Sequence, residues 1–279
     1  MPTWLIGLDI DETQIPERTN PHYFDGEADS IQTLKDSLEK IRENGSGKIV
    51  HVTNGMLHLY QQVADVLSTS DYVTCNASTR IYRRTEKGLA LDQDFETALQ
   101  ACQYDPQMAE ERAHQFPALT QSGPEHQTEY KRSFLMTDTN LSLTDRCHIF
   151  SQLADLYRDE SGTSVFYVEG KMDADGKTDP AGPFPTIDIV PRLCTKGECL
   201  KFIAQKEGIS PDHVLVSGNG DNDISMFRHE FRSVAVGNAQ KKLMDHALGL
   251  SRNNPSQHYI ARGTRSTAVL EGLRHFGLI

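Results

Sequence analysis

The stretch Leu5-Ile6-Gly7-Leu8-Asp9-Ile10-Asp11-Glu12-Thr13 restricts the fold more than any other part of this chain. An apolar run that reaches an acidic turn so early reads as a central buried strand with chemistry at its C-terminal end. Side chains alternate along a strand, so Asp9 and Asp11 leave the backbone on the same side. Two carboxylates that close do not ionise together easily without a cation beside them. One is therefore expected as an anion on a metal while the other keeps a proton near neutral pH. That division suits a nucleophile at Asp9 and a general acid/base at Asp11. Taken alone, the triplet reads equally well as an exposed Asp-rich turn, and the rest of the chain must decide.

The rest repeats a strand–helix alternation. Glu27 to Asn44 is expected as a helix with Ile31, Leu34, Leu38 and Ile41 on one face and Gly45 as its stop. Lys48 to Thr53 and Asp71 to Asn76 are strands flanking a helix through Tyr60, Val63, Ala64 and Leu67. Between about Tyr82 and Pro185 the chain becomes more polar and broken, with strand candidates Phe134-Leu135-Met136 and Val165-Phe166-Tyr167-Val168 and a helix from Asp145 to Arg158 between them. Alternation then returns: Thr186 to Val190, a helix from Thr195 to Lys206, His213 to Ser217, a helix at Ile224 to Phe227, Ser233 to Val236, Ala239 to Leu248, and a last helix from Ser266 to Phe276. This order predicts an α/β fold, a Rossmann-like parallel-sheet core with right-handed crossovers and a smaller inserted α+β domain. The boundaries expected are 1–81 with 188–279 for the core and 82–187 for the insert.

Composition narrows the function. The 279 residues carry a formal charge of −11, which argues against a nucleic-acid or anionic-membrane partner. An anionic substrate would then need a divalent cation to offset charge locally. Cys75, Cys102, Cys147, Cys194 and Cys199 are odd in number and lack Cys-x-x-Cys spacing, so reduced and mostly buried thiols in a cytoplasmic protein are expected. Met1-Pro2-Thr3-Trp4 shows no basic region followed by an apolar stretch, so no secretory signal is expected. No apolar run approaches membrane-spanning length. Asp173 to Asp179 misses the ligand spacing of a calcium loop and reads as a hairpin or loop. His58, His114, His126 and His148 form no pair at ligand spacing and are expected on the surface.

Four groups fall at expected strand ends or helix starts: Asp9 with Asp11, Thr53, Lys196, and the turn Asn219-Gly220-Asp221-Asn222-Asp223. Ligands of open parallel sheets bind beyond the carboxyl ends of the strands. A helix N-terminus bearing a lysine attracts an anion, and Thr53 adds a hydroxyl beside a turn of backbone N–H groups. Together they would cradle a phosphate while acidic and amide oxygens hold Mg²⁺, a hard ion that prefers oxygen ligands. Each group alone has an ordinary structural explanation: Thr53 a helix cap, Lys196 a solvated lysine, the Asn/Asp cluster a plain turn.

The set resembles the haloacid dehalogenase superfamily, and the insert resembles the α/β cap of its sugar-phosphatase branch. More narrowly, the chain is similar to the sucrose-phosphatase family. Phe116 to Thr120, Tyr130 to Phe134, Ile187 to Pro191, Val236 to Gln240 and Asn253-Asn254-Pro255 carry this likeness, with the C-terminal helix. The resemblance implies a Mg²⁺-dependent sugar-phosphate phosphatase, acting on sucrose 6-phosphate or a related phosphorylated disaccharide through an aspartyl-phosphate. Asp9 would be the nucleophile, Asp11 the acid/base, and Thr53 and Lys196 the groups that orient and neutralise the phosphoryl oxygens. Thr13, Asn54, Gly55, Asp188 and Asn222 would contact substrate. Asp9, the Asp11 carbonyl, Asn219 and Asp223 would hold the metal. A monomer or homodimer is expected.

The chain departs from the family pattern at three places. Asn219 stands where the pattern has a metal-binding Asp, Asn54-Gly55-Met56 replaces a Gly-Arg-Ser type sequence, and Glu12 fills a small or neutral position. Two other readings follow: a phosphosugar mutase on the same core, and a non-catalytic phosphosugar-binding protein, the latter motivated by Asn219.

Overall fold

The computed structural model describes residues 3–16, 26–158, 162–168, 184–228 and 230–279. Two compact units emerge, one of residues 1–95 with 195–279 and one of residues 96–194.

The larger unit is built on an eight-stranded sheet. Its first strand, β1 (Trp4–Asp9), lies between β2 (Gly47–Val52) and β10 (Val214–Gly218), parallel to both. Beyond β10 come β11 (Arg232–Ala235) and β12 (His258–Ile260); beyond β2 comes β3 (Tyr72–Cys75), all parallel. Leu5, Ile6 and Leu8 are fully buried, as a strand covered on both faces requires. One face packs against α1 (Ala28–Glu43) and α8 (Arg265–His275), where Leu34, Leu38, Ile41, Val269 and Leu273 meet Ile6, Leu8 and Ile49. On the other side, a Cβ at Gly7 would sit 2.6 Å from Leu200 of α6 (Lys196–Lys206), so a glycine here admits the helix close to the sheet. The short α2 (Leu57–Gln61) and α7 (Lys241–Asn253) complete this unit's helices.

The sheet does not end with β3. β4 (Arg80–Thr85) and β5 (Gly88–Leu91) pair antiparallel onto it. The expected boundary at 82 thus falls inside β4, and the compact units divide at 95 instead. The hairpin was hidden because Arg80-Ile81-Tyr82-Arg83-Arg84-Thr85, next to the sheet's edge strand β5, is charged and half exposed. Helix α3 (Gln93–Gln100) runs across this division.

The smaller unit contains an antiparallel sheet in the order β6 (Leu119–Gln121), β7 (Arg132–Met136), β9 (Thr186–Pro191), β8 (Thr163–Val168). Phe134, Met136, Ile187 and Ile189 project from one face into a core with Ala109 and Ala113 of α4 (Pro106–Ala113) and Leu153 of α5 (Leu143–Asp155). Asp105 caps α4 by accepting from the amides of Gln107 and Met108, and Ser142 with Asp145 forms a capping box on α5. The expected loop at 173–179 lies outside the described residues.

His58, His114, His126 and His148 are exposed. Cys75, Cys194 and Cys199 are buried, Cys102 is half-buried and Cys147 exposed, all as free thiols. Among the described residues no helix is long and apolar enough to cross a membrane.

Candidate active site

The C-terminal ends of β1, β2 and β10 lie side by side, and α6 begins against them. Asp9 is the last residue of β1, Thr53 follows the end of β2, and Asn219 follows β10. Lys196 opens α6, whose cap is Thr195, its hydroxyl accepting from the Glu198 amide. A Cβ at Gly197 would fall 1.8 Å from the Ser225 carbonyl oxygen, so this glycine lets α6 touch the segment after β10.

Lys196 is the hub. Its Nζ donates to Asp9 Oδ1 at 2.6 Å and to Asp223 Oδ1 at 2.5 Å, and all three residues are at most 7% exposed. Burial opposes the charge on Lys196, but the Asp223 and Asp9 carboxylates outweigh it and hold the ammonium above its ordinary range. Burial pushes the Asp9 carboxyl the other way, toward protonation; Asp223 adds to this and Lys196 opposes it. With both carboxylates ionised the cluster would carry one net negative charge, which a further cation would offset.

Both carboxylate oxygens of Asp223, expected among the metal ligands, accept hydrogen bonds within the protein. Its Oδ2 accepts from the amides of Asn219 and Gly220, both at 2.9 Å, while Oδ1 serves Lys196. The carboxylate therefore closes its own loop from beneath, and Gly218 leaves room for this, since a Cβ there would sit 2.6 Å from the Asp223 Cβ. The helix expected from Ile224 is a 3-10 turn over Asp221–Met226, wound tightly around that interaction.

Thr13, expected to touch substrate, is fully buried. Its hydroxyl is within 3.0 Å of both Asp9 Oδ2 and Asn219 Oδ1. A hydroxyl has one proton, so it donates to only one of these acceptors at a time. Two acceptor oxygens thus converge at a point with one proton between them, as cation ligands do. Both are oxygen donors, the ligand type that fits Mg²⁺. Among the described residues no three His, Cys, Asp or Glu side chains form a metal-holding group. Asn219 presents an amide oxygen without a charge.

Around this cluster, Thr53 Oγ1 accepts from the Gly55 amide at 3.0 Å, and Asn54, Gly55 and Asn222 are half-buried. Asp11 is half-buried as well. Asp188 lies on β9 of the smaller unit, 7% exposed, with Oδ1 enclosed and lacking a hydrogen-bond partner. Hydrogen bonds therefore join Asp9, Thr13, Lys196, Asn219 and Asp223, and Asp188 belongs to a separate unit. Sequence reasoning missed Gln14, whose Nε2 donates to the Asp9 carbonyl at 2.9 Å, together with Asn238 and Arg265, which grip the same turn through Glu12. The unusual Glu12 was the one available signal for them.

The chain matches the family described as sucrose-6F-phosphate phosphohydrolase over residues 2–171 and 183–277. It is 25% identical to the mannosylfructose-phosphate phosphatase of Agrobacterium fabrum, over 99% of this chain and 98% of that protein. It is likewise 25% identical to the probable sucrose-phosphatase 3b of Arabidopsis thaliana, over 99% of this chain and 60% of the plant protein. Its fold superposes on the sucrose-phosphatase of Synechocystis sp. PCC6803, solved with sucrose and phosphate, with a TM-score of 0.73 at 24% identity, covering 99% of this chain and 98% of that one. A haloacid dehalogenase-like hydrolase from Bacillus subtilis gives a TM-score of 0.67 at 14% identity, covering 100% and 93%. With the family match reaching from residue 2 to residue 277, the chain belongs to the sucrose-6F-phosphate phosphohydrolase family and is a phosphoric monoester hydrolase with the fold of the haloacid dehalogenase-like hydrolases.

Proposed function

We propose that this sugar-phosphate phosphatase cleaves a phosphorylated disaccharide, sucrose 6-phosphate or a close relative of it, through an aspartyl-phosphate and with Mg²⁺. The observation that carries the reading is a buried lysine clamped between the carboxylate at the end of β1 and that of the turn after β10, in a chain of this family. Asp9 attacks phosphorus in line and takes the phosphoryl group. Asp11 protonates the departing sugar oxygen, then accepts a proton from the water that frees phosphate. Lys196, kept charged by its two carboxylate neighbours, neutralises the phosphoryl oxygens. Thr53, Asn54, Gly55 and Asn222 orient that group, and Thr13 holds Asp9 from behind. Mg²⁺, when bound, offsets the charge that gathers at the phosphoryl group. The Asp9 carboxylate, the Asp11 carbonyl and the Asn219 amide oxygen would hold it, with Asp223 fixing the Asn219 backbone. Asp188, with its unpaired Oδ1, is assigned to sugar hydroxyls.

The test is release of inorganic phosphate from sucrose 6-phosphate, mannosylfructose phosphate and glucose 6-phosphate, with and without Mg²⁺. Release from a disaccharide phosphate that needs the ion is expected, and Asp9→Asn should reduce it by about a thousandfold or more. Turnover by Asp9→Asn equal to the parent would overturn the assignment. A mutase would instead return the phosphoryl group to sugar. Asn219→Asp restores the missing charge and should lower the Mg²⁺ needed for half-maximal turnover by about tenfold; an unchanged requirement would remove residue 219 from the ligand set.

A further inference from the structure

We infer that Arg265 is a positioning residue for the turn that carries Asp11, acting through Glu12. The inference rests on the phosphatase reading above and adds to it a part supplied by the last helix of the fold.

Glu12 follows Asp11 directly, and a charged residue there departs from the pattern of the family this chain resembles. Its carboxylate meets Arg265, 253 positions later in the sequence. Arg265 Nε donates to Glu12 Oε2 at 3.0 Å, and Nη2 donates to Oε2 at 2.8 Å and Oε1 at 3.1 Å. The remaining Nη1 donates to Glu27. One guanidinium thus joins the two ends of the segment between β1 and α1. Asn238 ties the same two residues through their backbones. Its Nδ2 donates to the Glu12 carbonyl at 2.8 Å and to Oε2 at 3.2 Å, and its Oδ1 accepts from the Arg265 amide at 3.1 Å. Ser266 donates to the Gln14 carbonyl, and Gln14 in turn holds the Asp9 carbonyl.

Both partners of the fork have left-handed backbones, Glu12 at φ +60° and Arg265 at φ +48°. Side chains other than glycine and asparagine rarely adopt this conformation, and it persists where surrounding contacts over-determine it. The fork and Asn238 are among those contacts here. The turn they grip runs from Ile10 to Ile15, with the Glu12 amide donating to the Ile15 carbonyl at 2.7 Å. Residues 12 and 14 are held from the α8 side, while Thr13 between them serves Asp9 and Asn219. Asp11 precedes the gripped residue by one peptide plane, so the tilt of that plane sets the direction of its carbonyl and fixes the Cα from which its carboxylate projects. A forked guanidinium fixes orientation where a lysine fixes only charge. Catalysis by an acid/base group is sensitive to sub-ångström displacement.

The experiment compares Arg265→Gly, Arg265→Lys and Glu12→Gln in the full chain. Arg265→Gly also removes the backbone strain, so a loss in this variant reports the side chain. Expected is a fall in kcat of about tenfold or more with KM within about twofold, for both Arg265 variants. Millimolar guanidinium should restore part of the kcat of Arg265→Gly and none of that of Arg265→Lys. The double variant Glu12→Gln with Arg265→Gly should be no slower than the slower single one, as for residues acting as a unit. Hydrogen exchange of the amides of residues 12–15 should quicken in each variant. That readout needs no turnover, so it decides the clamp even if the parent releases no phosphate and the phosphatase reading fails. Unchanged kcat in Arg265→Gly, a loss confined to KM, or unaltered exchange at residues 12–15 would each overturn the inference.

Discussion

The two units bury a sheet by opposite means. In the larger unit the strands around β1 run parallel, both faces are covered, and every crossover returns the chain so that strand C-termini share one edge. Asp9 and Lys196, 187 positions apart in sequence, therefore meet in a buried ion cluster. In the smaller unit the strands are antiparallel and one face alone carries the apolar set of Phe134, Met136, Ile187 and Ile189. Successive residues such as Ser133 and Asp188 point away from that core, paired across β7 and β9. A parallel sheet concentrates chemistry at its edge; an antiparallel one distributes side chains over its two faces. Substitutions should accordingly be felt as unbalanced charge in the larger unit and as lost volume in the smaller one.

The sharpest way to break this contrast is Lys196→Met. It removes the cation between Asp9 and Asp223 and leaves two buried carboxylates facing each other. A loss of about 3–5 kcal/mol is expected in urea unfolding at pH 7, along with all turnover. Because the cost is electrostatic, much of the stability should return at lower pH as one carboxylate takes a proton. A loss independent of pH would mean that Lys196 matters for its packing, and the contrast would fail.

Phe134→Ala probes the other side. Phe134 is fully buried in the smaller unit's core, and its truncation should cost about 3 kcal/mol there, with no dependence on pH. Hydrogen exchange should rise in β6 to β9 and stay unchanged in β1 and β10. Exchange rising equally in both units would show that they unfold as one.

A smaller effect belongs to His51 on β2. It is fully buried, with Nδ1 3.3 Å from the Tyr60 hydroxyl and Nε2 3.4 Å from the Ser68 hydroxyl. Burial, with Arg84 nearby, lowers its pKa from 6.5 to about 3. The unfolded chain therefore binds a proton that the folded chain refuses between pH 6.5 and 3, so stability falls as pH drops through that window. From pH 6.5 to pH 5 the loss should be about 2 kcal/mol. His51→Gln should flatten this slope; an unaltered slope would shift the acid sensitivity to other groups.

Much of the fold was legible in the sequence because the larger unit is locally consistent. The Ile31, Leu34, Leu38 and Ile41 stripe appears as the buried face of α1, and the apolar run from Leu5 ends at Asp9 as β1 does. The β4–β5 hairpin was not legible, since its charged strand β4 lacks both the apolar run and the strict alternation that signal a strand. Nor was the detail of the Asn219 to Asp223 turn, where Asp223 folds back on its own backbone amides rather than projecting outward. Single-residue oddities proved informative: Glu12 looked misplaced until Arg265 supplied its partner.

By itself the sequence determined which residues carry charge and hydroxyl groups, where the strands of the larger unit lie, and that those groups fall at strand ends. Periodicity and turn chemistry are local properties, readable within a few residues. Tertiary structure alone decided which of those ends are neighbours, that one lysine serves two carboxylates, and that the last helix holds the turn beside Asp11. Such pairings depend on crossovers that close over hundreds of residues, and no local pattern records which distant side chain arrives.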